Sequence, residues 1–150
     1  MARLRLSDTE MRAWQGLLHA HHDVIRALDR DLQDSHDLSL AEYDVLLRLA
    51  RTPDGLRMSD LADRVLMSPS GLTRLVGRLE GQRLVEREAD PEDGRVARAS
   101  LTAEGRRRLR GAARTHLRGI RDHFTGRLTE PQLRGIASAL EVVTGPHPEH

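Results

Sequence analysis

A mainly α-helical fold with one small two- to three-stranded β element is predicted by three observations. A capping motif recurs at helix starts, apolar residues repeat at steps of three and four, and a single alternating stretch is broken by a turn containing Pro and Gly. The chain has 150 residues, which suits one compact functional unit with a real core. Aromatic residues make up only 2%, so that core must be built from Leu, Val, Ile and Ala.

The capping motif places Ser or Thr at the N-cap, Glu or Gln three residues later, and an apolar residue on each side. Ser7 with Glu10, Ser39 with Glu42 and Thr129 with Gln132 all fit it. The first helix is expected over about 8–34, with Met11, Trp14, Leu18, His21, Ile25, Leu28 and Leu32 forming one heptad seam suited to burial against helices or a partner chain. The second, over about 40–51, should bury Tyr43, Leu46, Leu47 and Ala50 and stop at Pro53-Asp54-Gly55. The last, over about 130–144, should bury Leu133, Ile136, Ala137, Leu140 and Val143 and end at Gly145-Pro146, leaving a frayed tail over 146–150. Between Thr102 and Arg127 runs an Arg-rich helix with Leu109, Ala113, His116, Leu117, Ile120 and Phe124 on its apolar side. Its glycines at 105, 111, 119 and 126 either allow close contact or are merely tolerated.

Composition excludes several chemistries. With no Cys there is no disulfide scaffold, thiolate metal site or cysteine nucleophile. No apolar run approaches the roughly 18 residues of a membrane span. The start Met1-Ala2-Arg3-Leu4-Arg5 lacks the apolar centre of a signal peptide, so no membrane partner is expected and the cytoplasm is the expected compartment. The net charge is only +1, but its distribution is uneven: residues 106–121 carry seven Arg and no acid, whereas residues 1–57 carry eight Arg against ten acids. A nearly neutral chain can still present a basic face to DNA.

Residues 58–101 carry the function. Ser59 is expected to cap a short helix over about 60–66 that turns Leu61, Ala62 and Val65 inward, and a tight break follows at Leu66-Met67. Ser68 caps a second helix with Pro69 at its first position and Leu72, Leu75, Val76 and Leu79 on the apolar face. The opposite face carries Ser70, Arg74 and Gly77, flanked by Gly71, Thr73 and Arg78. Small residues and hydroxyls let a helix approach a groove, and guanidiniums can grip guanine or phosphate in bidentate fashion. A ribbon follows, with strands over 84–89 and 95–101 joined by Asp90-Pro91-Glu92-Asp93-Gly94. Helix, turn, helix and ribbon in this order make a winged helix-turn-helix, with Arg95 at the wing tip suited to a narrow minor groove. The candidate DNA-binding residues are Ser68, Ser70, Gly71, Thr73, Arg74, Arg78 and Arg95.

Leu61-Ala62-Asp63, Met67-Ser68-Pro69-Ser70-Gly71-Leu72-Thr73-Arg74-Leu75-Val76, Leu84-Val85-Glu86-Arg87, Asp90-Pro91-Glu92-Asp93-Gly94-Arg95 and Leu101-Thr102-Ala103-Glu104-Gly105 together resemble the MarR family of bacterial regulators. The resemblance implies a helical dimerisation region over 1–37 and 102–150 around a DNA-binding domain over 38–101. It also implies a homodimer paired through its first, fifth and sixth helices, acting on a palindromic double-stranded operator and usually repressing until a small ligand releases it. The implied effector crevice makes Trp14, His21 and Tyr43 the effector candidates, with an aromatic or phenolic acid as the ligand class. Two positions depart from the pattern: Glu92 stands where an Arg is common, and Arg83 where a Gly usually closes the recognition helix.

No enzyme and no cofactor are expected. His19, His21 and His22 on the first helix, with His116 and His123 later, lack a strong ligand pattern, so no metal site is assigned. A zinc-responsive regulator of the same fold is the nearest alternative, and a helical adaptor that never touches DNA is another. A His/Asp hydrolase would need a nucleophile motif or a phosphate-binding Gly loop, and the sequence shows neither. Asp29, Asp31, Asp34 and Asp37 read as a solvated acidic face.

Overall fold

A computed structural model describes residues 5–145. The tail 146–150, expected to fray, lies outside the described residues. Helices α1 (Asp8–His36) and α2 (Leu40–Ala50) are followed by the short strand β1 (Leu56–Arg57), then by α3 (Met58–Val65) and α4 (Pro69–Gly81). Strands β2 (Val85–Ala89) and β3 (Ala97–Leu101) form the ribbon, and α5 (Ala103–His123), a 3-10 turn (Thr125–Arg127) and α6 (Glu130–Thr144) complete the chain. Among the described residues no helix is long and apolar enough to cross a membrane.

The chain divides into two units, Met1–Leu28 with Leu117–His150, and Asp29–His116. The second holds a continuous core in which Leu32, Leu38, Val45, Leu46, Leu49, Leu61, Val76, Leu79 and Leu84 are fully buried. Its sheet is antiparallel with β3 in the centre; Leu56 lies opposite Ala99, and Val85 opposite Leu101. The two-residue β1 is not foreseen in the sequence, because two residues between a turn and a helix show no alternation. Gly55 makes it possible: its φ is 75°, and a Cβ there would stand 2.4 Å from the Ala99 carbonyl oxygen.

Local chemistry sets the helix ends. Ser7 Oγ accepts from Glu10 N at 3.3 Å while Glu10 Oε2 accepts from Ser7 N at 2.7 Å, and the Ser39–Glu42 box is also complete. At α6, Gln132 Oε1 accepts from Thr129 N at 2.9 Å. Ser59 is not a cap: α3 begins two residues earlier than expected, at Met58, directly out of β1, and no side chain caps it. Asp37, Leu66 and Arg83, which follow α1, α3 and α4, all have positive φ. Arg83 therefore adopts the left-handed conformation that the missing Gly would have supplied, and Leu84 N donates to Leu79 O at 2.9 Å to close the helix.

Other expectations need correction. No residue of α6 is buried, and Val143 is 78% exposed, because its apolar side borders an open groove rather than a filled core. Leu117, placed on the apolar side of the Arg-rich helix, is exposed. That helix stops at His123, where Phe124 leaves helical geometry and Arg127 Nε donates to Asp122 O at 3.0 Å. Two of the glycines in that helix answer to close contact: a Cβ at Gly105 would lie 2.1 Å from Leu84 O, and one at Gly111 would lie 3.2 Å from His36 Cε1.

Candidate nucleic-acid interface

Helix α4 forms as its sequence dictates. Ser68 Oγ accepts from Gly71 N at 3.2 Å, Pro69 occupies the first turn, and Leu72, Leu75, Val76 and Leu79 anchor the helix in the core. Its other side is open. Ser68, Ser70, Thr73, Arg74, Gly77 and Arg78 are exposed, and Gly71 is partly buried. A side chain at Gly71 would press on Ser68 Oγ at 3.0 Å, so the glycine protects the cap. Thr73 Oγ1 donates to Pro69 O at 2.9 Å, and the residue remains exposed. Arg74 makes no ion pair among the described residues. Arg78 does: its Nη2 lies 2.9 Å from Oε1 of Glu42, a fully buried carboxylate on α2.

The wing is anchored at its base by a charge cluster not foreseen in the sequence. Asp90 is buried; its Oδ2 accepts from Arg57 Nε and Arg98 Nε, each at 3.1 Å, and its Oδ1 from Arg57 Nη2 at 3.2 Å. The backbone N–H groups of Glu92 and Asp93 also donate to Oδ1, at 3.0 and 3.2 Å. The Arg57 guanidinium, with these other donors, holds the Asp90 carboxyl well below the usual carboxylate range. Arg98 Nη1 also reaches Gly55 O at 2.8 Å, tying the wing to the turn before β1. Sequence could suggest an Asp-led turn at 90–94, but Arg57 lies 33 residues away and carries no local signal.

Arg95 projects from the wing with its side chain 94% exposed, and its Nε stands 3.6 Å from Asp93 Oδ1. Glu92 does not stand alone at the tip; its Oε2 accepts from Arg57 Nη2 at 3.3 Å. Six of the seven DNA-binding candidates thus share α4 and its cap, and Arg95 sits on the wing.

The effector candidates are not gathered into one site within either unit. Trp14 and His21 line an apolar groove of about 760 Å³ together with Leu17, Ile25, Ile136 and Leu140. Tyr43 is buried in the other unit, its ring centroid 4.7 Å from that of His116. Burial pushes the Tyr43 hydroxyl above its ordinary pKa and the His116 imidazole below its own. Among the described residues, no three histidines or carboxylates converge on a metal position. Asp29 is structural: its Oδ1 accepts from Leu40 N at 2.8 Å, at the start of α2.

Comparison with known proteins bears on this geometry. A family model described as "MarR family" matches residues 36–96. An HTH-type transcriptional repressor of Mycobacterium tuberculosis is 34% identical over 104 residues, covering 69% of this chain and 73% of its own length. Among solved structures, AbsC of Streptomyces coelicolor, a MarR family transcriptional regulator, is 33% identical with a TM-score of 0.83, covering 93% of this chain and 95% of its own. Sco3205 of the same organism, solved in complex with DNA, is 33% identical with a TM-score of 0.84 over 97% of this chain and 96% of its own. CouR of Rhodococcus jostii, bound to p-coumaroyl-CoA, is 25% identical with a TM-score of 0.70, covering 89% of this chain and 92% of its own. With an exposed recognition helix, a braced wing and relatives of this closeness, the chain belongs to the MarR family of DNA-binding transcriptional regulators, which are not enzymes.

Proposed function

We propose that two copies of the chain pair and hold a palindromic operator in the cytoplasm, repressing transcription until a small aromatic or phenolic acid releases them. The observation that carries this is α4: one face is locked into the core, and the other presents Ser70, Thr73 and Arg74 beside glycines, with no ion pair to Arg74 among the described residues. Major-groove readout needs such a face. The DNA-bound state of Sco3205, at 33% identity, supports it. Arg95 of each wing reaches a flanking minor groove, where narrowing concentrates negative potential. Pairing is supported by the apolar face that α1 and α6 leave open.

The effector class is supported by the p-coumaroyl-CoA held by CouR, and Trp14, His21 and Tyr43 are the residues proposed to respond to it. The test is binding to the tightest duplex selected from a randomised pool, across a salt series. Arg95→Ala reduces the slope of log affinity against log salt by about 0.9 if it contacts one phosphate-lined groove. Hydroxycinnamic and hydroxybenzoic acids shift Trp14 fluorescence and release that duplex. Salt-independent binding, or no binding, contradicts the proposal; unchanged fluorescence and unchanged release across the acids contradict the effector class.

A further inference from the structure

The chain contains two Ser–x–x–Glu capping boxes of the same type in very different surroundings. In the first, Glu10 is exposed and serves only the cap with Ser7. In the second, Glu42 is wholly buried. Its Oε2 accepts from Ser39 N at 2.8 Å, which completes the cap at the start of α2. Its Oε1 accepts no hydrogen bond of good geometry and instead faces the Arg78 guanidinium at 2.9 Å. A cap does not require burial, and a buried carboxylate is costly unless a cation compensates it. Here the cation is supplied by the recognition helix.

Arg78 is only half committed to this pair. Its side chain is 61% exposed, and a guanidinium has five N–H donors in a rigid planar fork, so donors remain on the solvent side. Arg74 and Arg78 are four residues apart and therefore neighbours on the same side of α4. Among the described residues Arg74 makes no ion pair; Arg78 is clamped from behind.

We infer that Glu42 is a positioning residue for DNA recognition: it fixes the Arg78 guanidinium against α2 so that the outward N–H groups meet the operator backbone in one preset geometry. Resting on the reading of α4 as the recognition helix, this assigns a role to a residue that never touches DNA. The physical consequence is selectivity. An arginine already ordered loses less rotamer freedom when it docks. Its partly neutralised charge also adds less to the sequence-independent attraction that supplies non-specific binding. Phosphate contacts of fixed geometry set the register in which Arg74 reads bases.

The test compares affinity for the selected duplex with affinity for a scrambled duplex of equal length. Glu42→Gln keeps a carbonyl oxygen for Ser39 N and so preserves the cap while removing the charge. It is expected to lower the ratio of specific to non-specific affinity about tenfold, with non-specific binding unchanged or stronger. Arg78→Lys keeps the charge but loses the fork, and should lower the ratio alike. Glu42→Gln combined with Arg78→Gln should be no worse than Arg78→Gln alone, because the two residues act as one device. Thermal unfolding of each variant shows that the fold persists; should Glu42→Gln fail to fold, Arg78→Lys alone decides. A ratio within twofold of wild type for either conservative variant, or losses that add in the double variant, overturns the inference. A wild-type chain that selects no duplex would bring down the DNA-binding reading itself, an outcome distinct from a normal wild type with an indifferent Glu42→Gln.

Discussion

The two units of this chain solve opposite problems. Asp29–His116 closes around fully buried leucines and valines and braces its wing through Asp90. Met1–Leu28 with Leu117–His150 contains long helices whose apolar residues stay open: Trp14 is 53% exposed, and Met11, Leu17, Leu18, Ile25 and Leu140 are exposed with it. A contiguous apolar face of this kind marks an interaction surface. Reading DNA requires a rigid element whose stability is internal, whereas the pairing proposed above would use a surface left unfinished until a second copy arrives.

The sharpest way to break this contrast is to damage each unit by its own mechanism. Leu46→Ala empties a fully buried position and should destabilise folding by about 2–5 kcal/mol, seen as a lower midpoint in urea. Leu17→Asp should leave helical content intact but place an uncompensated charge in the paired face, costing assembly about 3–5 kcal/mol and halving the mass seen by light scattering. Should Leu17→Asp unfold the chain, or leave the mass unchanged, the division of labour fails. Arg74→Ala comes next. It should weaken specific binding by about 1–3 kcal/mol with relaxed preference at one operator position, and no loss on any duplex would remove α4 from the interface.

Smaller effects sharpen the comparison within the DNA-reading unit. Arg83→Gly relieves a left-handed non-glycine residue and should stabilise folding by about 1 kcal/mol. Gly77→Ala meets open space, so it should add about 1 kcal/mol of helix stability while lowering operator affinity, since the added methyl faces the groove. A gain in both would mean that this face stays clear of DNA.

Acidification should loosen this same unit in two stages. The His116 and His36 imidazoles are held below their ordinary pKa, both chiefly by burial, with Arg108 and Arg114 adding to the effect at His36. The unfolded chain therefore binds their protons first, and stability falls as pH drops below about 6.5. Asp90 is likewise depressed, so its contribution is complete above the ordinary carboxylate range, about pH 4, and is lost only as pH falls further. Urea midpoints measured between pH 8 and 3 check both stages; for Asp90→Asn, the later stage should disappear.

What was legible in the sequence was whatever chemistry is local. The break at Leu66, the Ser68 cap with Pro69 and the inward face of α4 follow from neighbours within a turn or two; at Arg83 the family resemblance marked only an unusual residue, and the structure shows it left-handed. What depends on distant partners was not legible. Strand β1 exists because of Ala99, the wing brace joins Arg57, Asp90 and Arg98, and the ion pair of Arg78 needs Glu42. The failures at Leu117 and along α6 have a different origin. An apolar stripe announces burial without saying whether the covering surface belongs to the same chain.

The central claim is that two copies read one duplex, and selection of tight binders from a randomised duplex pool by the full chain tests it most directly. The enriched sequences are predicted to form an inverted repeat with half-site centres about one helical turn apart. A single undivided site, direct repeats, or no enrichment over the starting pool would contradict it.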